Sequence, residues 1–100
     1  MLVHTVYFYL KPELSADQRA TFQREVARLG SIPEVGAFYL GAPAKVTPRP
    51  VVDLSFTWSI TCVFADVAQH DRYQSHPVHQ EFIARCKELW ARVQVYDAEG

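Results

Sequence analysis

The clearest hydrophobic pattern in the chain is an alternation. Leu54, Phe56, Trp58, Ile60, Cys62 and Phe64 alternate with Ser55, Thr57, Ser59, Thr61 and Val63. Successive side chains of a strand point to opposite faces, so Leu54 to Phe64 reads as a strand between a core and more polar surroundings. Leu2 to Leu10 is a strand of another kind. Leu2, His4, Val6, Phe8 and Leu10 share one face, and Val3, Thr5, Tyr7 and Tyr9 share the other. Both faces are largely apolar or aromatic, and such a strand requires cover on both sides. Val35 to Gly41 and Arg92 to Tyr96 make two weaker strands.

Helical spacing occupies the intervals. From Ser15 to Leu29 the inward stripe is Phe22, Val26 and Leu29. Ser15 with Gln18 forms a capping box, in which hydroxyl and amide each satisfy a free backbone N–H of the first turn. Gly30 reads as the stop, because glycine accepts the left-handed conformation common after a helix. Asp66 opens a short helix that includes Tyr73. Pro77 suits the first turn of a further helix, with Ser75 or His76 before it. That helix is expected to run to about Trp90, with His79, Phe82, Ile83, Cys86 and Trp90 within one arc. Between Gly41 and Asp53, prolines at 43, 48 and 50 place the chain outside the sheet, since proline lacks the N–H a ladder needs.

The resulting order, βαββαβ, predicts an α+β domain over residues 1–100. Its plan is ferredoxin-like: a four-stranded antiparallel sheet with helices on one face. The other face, carrying Tyr7, Tyr9 and Val63, is left bare in a single copy. An apolar face of that size is an association site, and pairing about a two-fold axis is the usual solution. A homodimer is therefore expected, with the hydroxyls of Ser55, Thr57, Ser59 and Thr61 needing partners in its interface.

Composition narrows the function classes. The chain has 49% apolar and 21% charged residues and a net charge of −1. No run of Lys or Arg offers a phosphate-binding surface, so no nucleic-acid partner is expected. No apolar run approaches the roughly 20 residues that cross a bilayer, so no membrane partner is expected either. No secretory leader is evident, and Cys62 and Cys86 form neither a CxxC pair nor a disulfide framework. They read as reduced, buried thiols, and the expected location is cytoplasmic.

One segment carries candidate chemistry: Tyr73-x-x-His76-Pro77-x-His79. On a helix beginning at Pro77, His79 falls in the middle of the apolar stripe and faces the sheet. His4 and Trp58 are expected opposite it, with Tyr73 reaching the same cleft. An imidazole beside a phenol is a workable acid/base pair, since one can titrate near neutral pH and the other can orient an oxygen. Walls formed by Phe8, Ile60, Trp58, Phe82 and Ile83 would admit a small aromatic or carbonyl ligand. The plainer alternative is a structural His79, its ring tied to Tyr73, His4 or a backbone carbonyl. His76 and His79 at i, i+3, even with His4, supply few ligands for zinc and no evident carboxylate. Neither a metal nor another cofactor is expected.

The segment Tyr73…His76-Pro77…His79…Phe82, with His4 in the first strand, resembles the stress-responsive A/B barrel (Dabb) family. The likeness covers nearly the whole chain, including Phe8 and Lys11 at the end of the first strand and Asp53 before the third. It implies a ferredoxin-like protomer and a dimeric α/β barrel, in a family most of whose members have no assigned activity. One plant branch, olivetolic acid cyclase, closes a linear polyketide by aldol condensation. The resemblance carries that branch's catalytic histidine and tyrosine onto His79 and Tyr73, and its strand-one histidine onto His4. It departs at Trp58, where that branch has a cleft histidine; an indole can serve neither as base nor as acceptor.

Overall fold

The computed structural model describes residues 1–100. Its elements are β1 (Leu2–Leu10), α1 (Ala16–Ala27), β2 (Ala37–Gly41), β3 (Trp58–Phe64), α2 (Val67–Ser75), α3 (Pro77–Cys86) and β4 (Trp90–Glu99). The strands form one antiparallel sheet in the order β2-β3-β1-β4. The fold is ferredoxin-like, with four antiparallel strands and the helices on one face.

β1 is the inner strand on which the rest is built. Leu2, His4, Val6, Phe8 and Leu10 are buried, while the residues between them are half-exposed on the opposite face. The buried set joins Ile60, Cys62 and Phe64 of β3 and meets Phe22 and Val26 of α1, Tyr73 of α2, and Phe82 and Cys86 of α3. Burying a side chain such as Phe22 contributes about 1.5–3 kcal/mol. The helix starts are set by local hydrogen bonds. Ser15 and Gln18 form the expected capping box at 3.1 and 2.8 Å. Asp66 accepts from the Gln69 N–H at 2.9 Å to start α2. His76 Nδ1 accepts from the Val78 N–H at 3.1 Å to start α3, with Pro77 in the first turn. The buried Glu25 carboxylate then ties α1 to α3, accepting from Arg28 at 2.9 Å and Arg85 at 3.2 Å. Burial raises the Glu25 pKa, but the two guanidiniums outweigh it and hold the carboxyl below its ordinary value.

Four expectations are corrected. β3 begins at Trp58, not Leu54, because the chain leaves the ladder at Thr57. There the Thr57 N–H donates to the Phe8 carbonyl at 2.8 Å, and its hydroxyl accepts from the Leu10 N–H at 3.0 Å. Just before it, the Asp53 carboxylate turns the chain by accepting from the Ser55 N–H and hydroxyl at 2.9 and 2.5 Å. This break puts Phe56 on the outer face, edge-on to Tyr7 with ring centroids 4.9 Å apart, and not beside Trp58. It also satisfies the hydroxyls of Ser55 and Thr57, leaving Ser59 and Thr61 on the outer face.

The second correction concerns α3, which stops at Cys86. Trp90 opens β4 instead, where its indole still packs on Phe8 and Phe82, at 5.4 and 5.8 Å. Third, β4 extends three residues further than expected, to Glu99. Fourth, Gly30 is not left-handed; no residue has positive φ. The helix tightens into a 3-10 turn over Arg28–Ser31, and the Phe38 ring lies against the glycine so closely that a Cβ would sit 2.6 Å from it. Glycine is required there for space, not for backbone freedom.

Gly30→Ala should therefore destabilise the fold by about 1–3 kcal/mol through overpacking, although alanine is the better helix former. The check is the urea midpoint, which should fall. A midpoint equal to or above that of the parent would show that Phe38 yields without cost.

Candidate functional site

The helix side of the sheet holds a cavity of about 170 Å³ between β1, β4, α2 and α3. Its walls are apolar: Val6 and Phe8 of β1, Ile60 of β3, Phe82 and Ile83 of α3, and Trp90, Val93 and Val95 of β4, with Leu29. Three groups capable of acid/base chemistry interrupt them, His4, Tyr73 and His79. The Tyr73 and His79 rings meet edge-on at 4.9 Å, and His4 lies 6.0 Å from Tyr73. The helix junction at His76-Pro77 makes this possible, since it breaks one long helix into two that approach the sheet separately.

Each of the three groups is tuned by burial. Tyr73 is almost wholly buried and its pKa is raised, first by desolvation, so the phenol keeps its proton. Its one protein hydrogen-bonding partner is the Cys62 thiol, at the long distance of 3.9 Å. Cys62 is itself pushed up to about 11 by burial and stays a thiol. His79 has its pKa lowered to about 4, mainly by desolvation and further by His4 and His70 nearby. No protein group hydrogen-bonds to its ring; its neighbours are the Tyr73 and Phe82 rings. At neutral pH it is an uncharged imidazole with a free lone pair.

His4 is held differently. Its Nδ1 faces Asp97 Oδ1 at 2.5 Å, across the β1–β4 register in which the two residues are paired. Desolvation lowers the His4 pKa, and the hydrogen bond and charge of Asp97 offset only part of that. The neutral ring thus donates from Nδ1 to the carboxylate, which fixes its tautomer. His70 of α2 packs against His4 with ring centroids 5.0 Å apart.

Of the cleft residues expected from sequence, Phe8, Ile60, Phe82 and Ile83 line this cavity and Trp58 does not. Trp58 lies in a separate open depression with Leu10, Ala16 and Arg19, at the far end of the face from His4. The reason is register: β3 runs antiparallel to β1, so Trp58 pairs with Phe8 while Cys62 pairs with His4. His76 is also elsewhere, its Nδ1 engaged at the start of α3. Asp97 and His70 were not singled out by sequence. His70 carried a signal, being i, i+3 from Tyr73 on one helix. Asp97 had none until the register of β4 was known.

The fold agrees with the comparisons. The model of the stress responsive A/B barrel domain, Dabb, matches residues 2–99. The chain belongs to the Dabb family. Among solved structures, a Dabb protein with a ferredoxin-like fold from Mesorhizobium loti is similar at 25% identity. The match covers 99% of this chain and 95% of that one, with TM-score 0.78. A dimeric ferredoxin-like protein of unknown function from Thermobifida fusca is similar at 17% identity, 99% and 90% coverage and TM-score 0.78. A hydroxynitrile lyase from Passiflora edulis shares the fold at 20% identity, 97% and 90% coverage and TM-score 0.77. None of the curated proteins matches this Dabb sequence. No helix of the fold is long and apolar enough to cross a membrane.

The His79 environment has a measurable consequence. Its ring protons should titrate with a midpoint near 4, well below the ordinary 6.5. Because the folded-state pKa is depressed, the unfolded chain binds the extra proton first as pH falls. The stability contribution is complete above about pH 6.5 and is lost progressively toward pH 4. Replacing His79 by glutamine should flatten that part of the stability profile. A wild-type midpoint at or above 6.5 would show that the ring is solvated.

Proposed function

We propose that this Dabb chain forms a homodimer, and that each protomer binds a small hydrophobic carbonyl or aromatic compound in the cavity beside Tyr73 and His79. The observation that carries the reading is a buried phenol whose one hydrogen-bonding partner in the protein is a thiol at 3.9 Å, facing a small apolar space. A carbonyl oxygen would give the phenol a stronger hydrogen bond where water is scarce, and apolar walls would take the rest of the molecule. The cavity volume favours a compact ligand, since pockets for drug-sized molecules begin near 300 Å³.

Dimerisation is supported by the outer face of the sheet. Tyr7, Tyr9, Phe56 and Tyr96, together with the polar Asp53, Ser59, Arg92 and Gln94, line a depression of about 370 Å³ there, and Tyr39 and Tyr96 are largely exposed. Aromatic surface of this kind is stabilised by a second copy, and the Thermobifida fusca relative is described as dimeric. The two free cysteines, both buried, suit a reducing compartment such as the cytoplasm.

A second reading makes the site catalytic, and the absence of any protein partner for the His79 ring favours it. His79 would accept a proton from the ligand while Tyr73 donates to the carbonyl oxygen, as in a lyase, isomerase or polyketide-type cyclase that needs no cofactor. A pKa of about 4 keeps the ring in its accepting form. Negative charge developing on the ligand next to it would strengthen the base as the proton moves. The hydroxynitrile lyase among the fold relatives is consistent with such chemistry.

These readings separate in experiment. With small aromatic aldehydes and β-keto compounds as probes, Tyr73→Phe should weaken binding about tenfold, the equivalent of one hydrogen bond. Equal affinity in the variant would remove Tyr73 from the site. If a probe is turned over, His79→Ala should abolish turnover while leaving the melting curve cooperative; unchanged turnover would leave binding alone. Tyr7→Glu, on the outer face, should give aggregated or unfolded protein, because a charge is placed in a closed apolar contact. A stable, soluble monomeric variant would count against this face assignment, and a monomeric parent would overturn the dimer.

A further inference from the structure

The His4–Asp97 pair has a third member that the acid/base reading does not use. His70 brings its ring to the same place, so that one ligand-type atom from each of His4, His70 and Asp97 lies within 4.8 Å of the others. The three come from β1, α2 and β4, and their meeting is a product of tertiary structure. From this convergence of two imidazoles and a carboxylate we infer a site for a divalent transition metal ion at the end of the cavity. The proposal does not depend on whether the cavity binds carbonyl compounds.

The donor set fits such an ion. Metal bonds of about 2.0–2.2 Å place neighbouring ligand atoms roughly 3–3.5 Å apart, so closing the cluster takes shifts on the order of 1 Å. Two imidazoles with one carboxylate suit zinc, iron or cobalt, whereas magnesium and calcium prefer all-oxygen sites. His4 is the fixed ligand, its side chain 4% exposed. Burial favours its neutral form, the form that binds metal. His70 and Asp97 are more accessible, with side chains 16% and 42% exposed, and open a path from solvent. His70 Nδ1 lies 3.2 Å from Asp71 Oδ1 and its Nε2 lies 3.4 Å from the Gln74 side-chain nitrogen, so the ion would displace one of these exposed contacts and leave the other to orient the ring. The ion would compete with the His4–Asp97 hydrogen bond, and so would replace one favourable contact of Asp97 by another. Three protein ligands leave a coordination position open, and of the three only His4 also lines the cavity.

The test is direct titration of the tag-free, metal-free protein with Zn²⁺ by calorimetry and with Co²⁺ by visible absorption. One equivalent per chain is expected, with d–d bands of a low-symmetry site and a raised melting temperature. His70→Ala and Asp97→Asn each remove a ligand that is not part of the core, and should weaken Zn²⁺ binding more than tenfold. His76→Asn, which keeps a capping side chain at the start of α3, should bind as the parent does. The inference is overturned if the parent binds neither ion, if both ligand variants bind unchanged, or if only His76→Asn loses the metal.

Discussion

A strand that is apolar on both faces cannot rest at a protein surface, and β1 is such a strand. Its buried face takes α1, α2 and α3, and its neighbours β3 and β4 supply the rest of the sheet. The second face, with Tyr7 and Tyr9, is left for another molecule. The helices therefore lie where β1 requires cover, and the dimer we propose answers the same requirement on the other side. The candidate site follows from the first of these two contacts. It lies at the end of the helix layer, where α2 and α3 part at His76-Pro77 and side chains no longer fill the space above β1 and β4.

Burial also sets the chemistry of that space. Three groups that would be unremarkable in water are placed among Val, Ile and Phe side chains. The low polarity makes two imidazoles neutral and keeps the phenol protonated. The groups differ in how they are compensated. His4 has Asp97; His79 has no hydrogen-bonding partner in the protein, and Tyr73 only a thiol at 3.9 Å. A ring with a fixed partner is positioned, whereas a ring without one is available to a ligand. Size matters less than this polarity. The outer-face depression and the one at Trp58 are larger than the cavity. They are also somewhat more open, and neither gathers buried imidazole or phenol groups.

Much of this architecture was legible along the chain. The alternation of β1, the capping box at Ser15 and Gln18, the proline start of α3 and the order βαββαβ are all local signals, and local hydrogen bonds and side-chain periodicity enforce them. The errors fell where a distant residue decides. Thr57 leaves the ladder because of hydrogen bonds to Phe8 and Leu10, nearly fifty positions away. Trp90 satisfies the helical arc and the strand equally well by pattern, and its packing on Phe8 does not distinguish them. Gly30 looked like a conformational glycine, and the Phe38 ring is what requires it.

By itself, then, the sequence determined the elements, their order, the two-sided character of β1 and the meeting of Tyr73 and His79 at a helix junction. Those features depend on residues a few positions apart, where spacing maps directly onto direction. Only the tertiary structure decided that Trp58 lies away from His4, that Asp97 pairs with it, and that His70 completes a three-ligand cluster. Each of those outcomes rests on strand register or on how a helix seats against the sheet. A shift of two residues in register would preserve every hydrophobic pattern and yet move a different side chain beside His4.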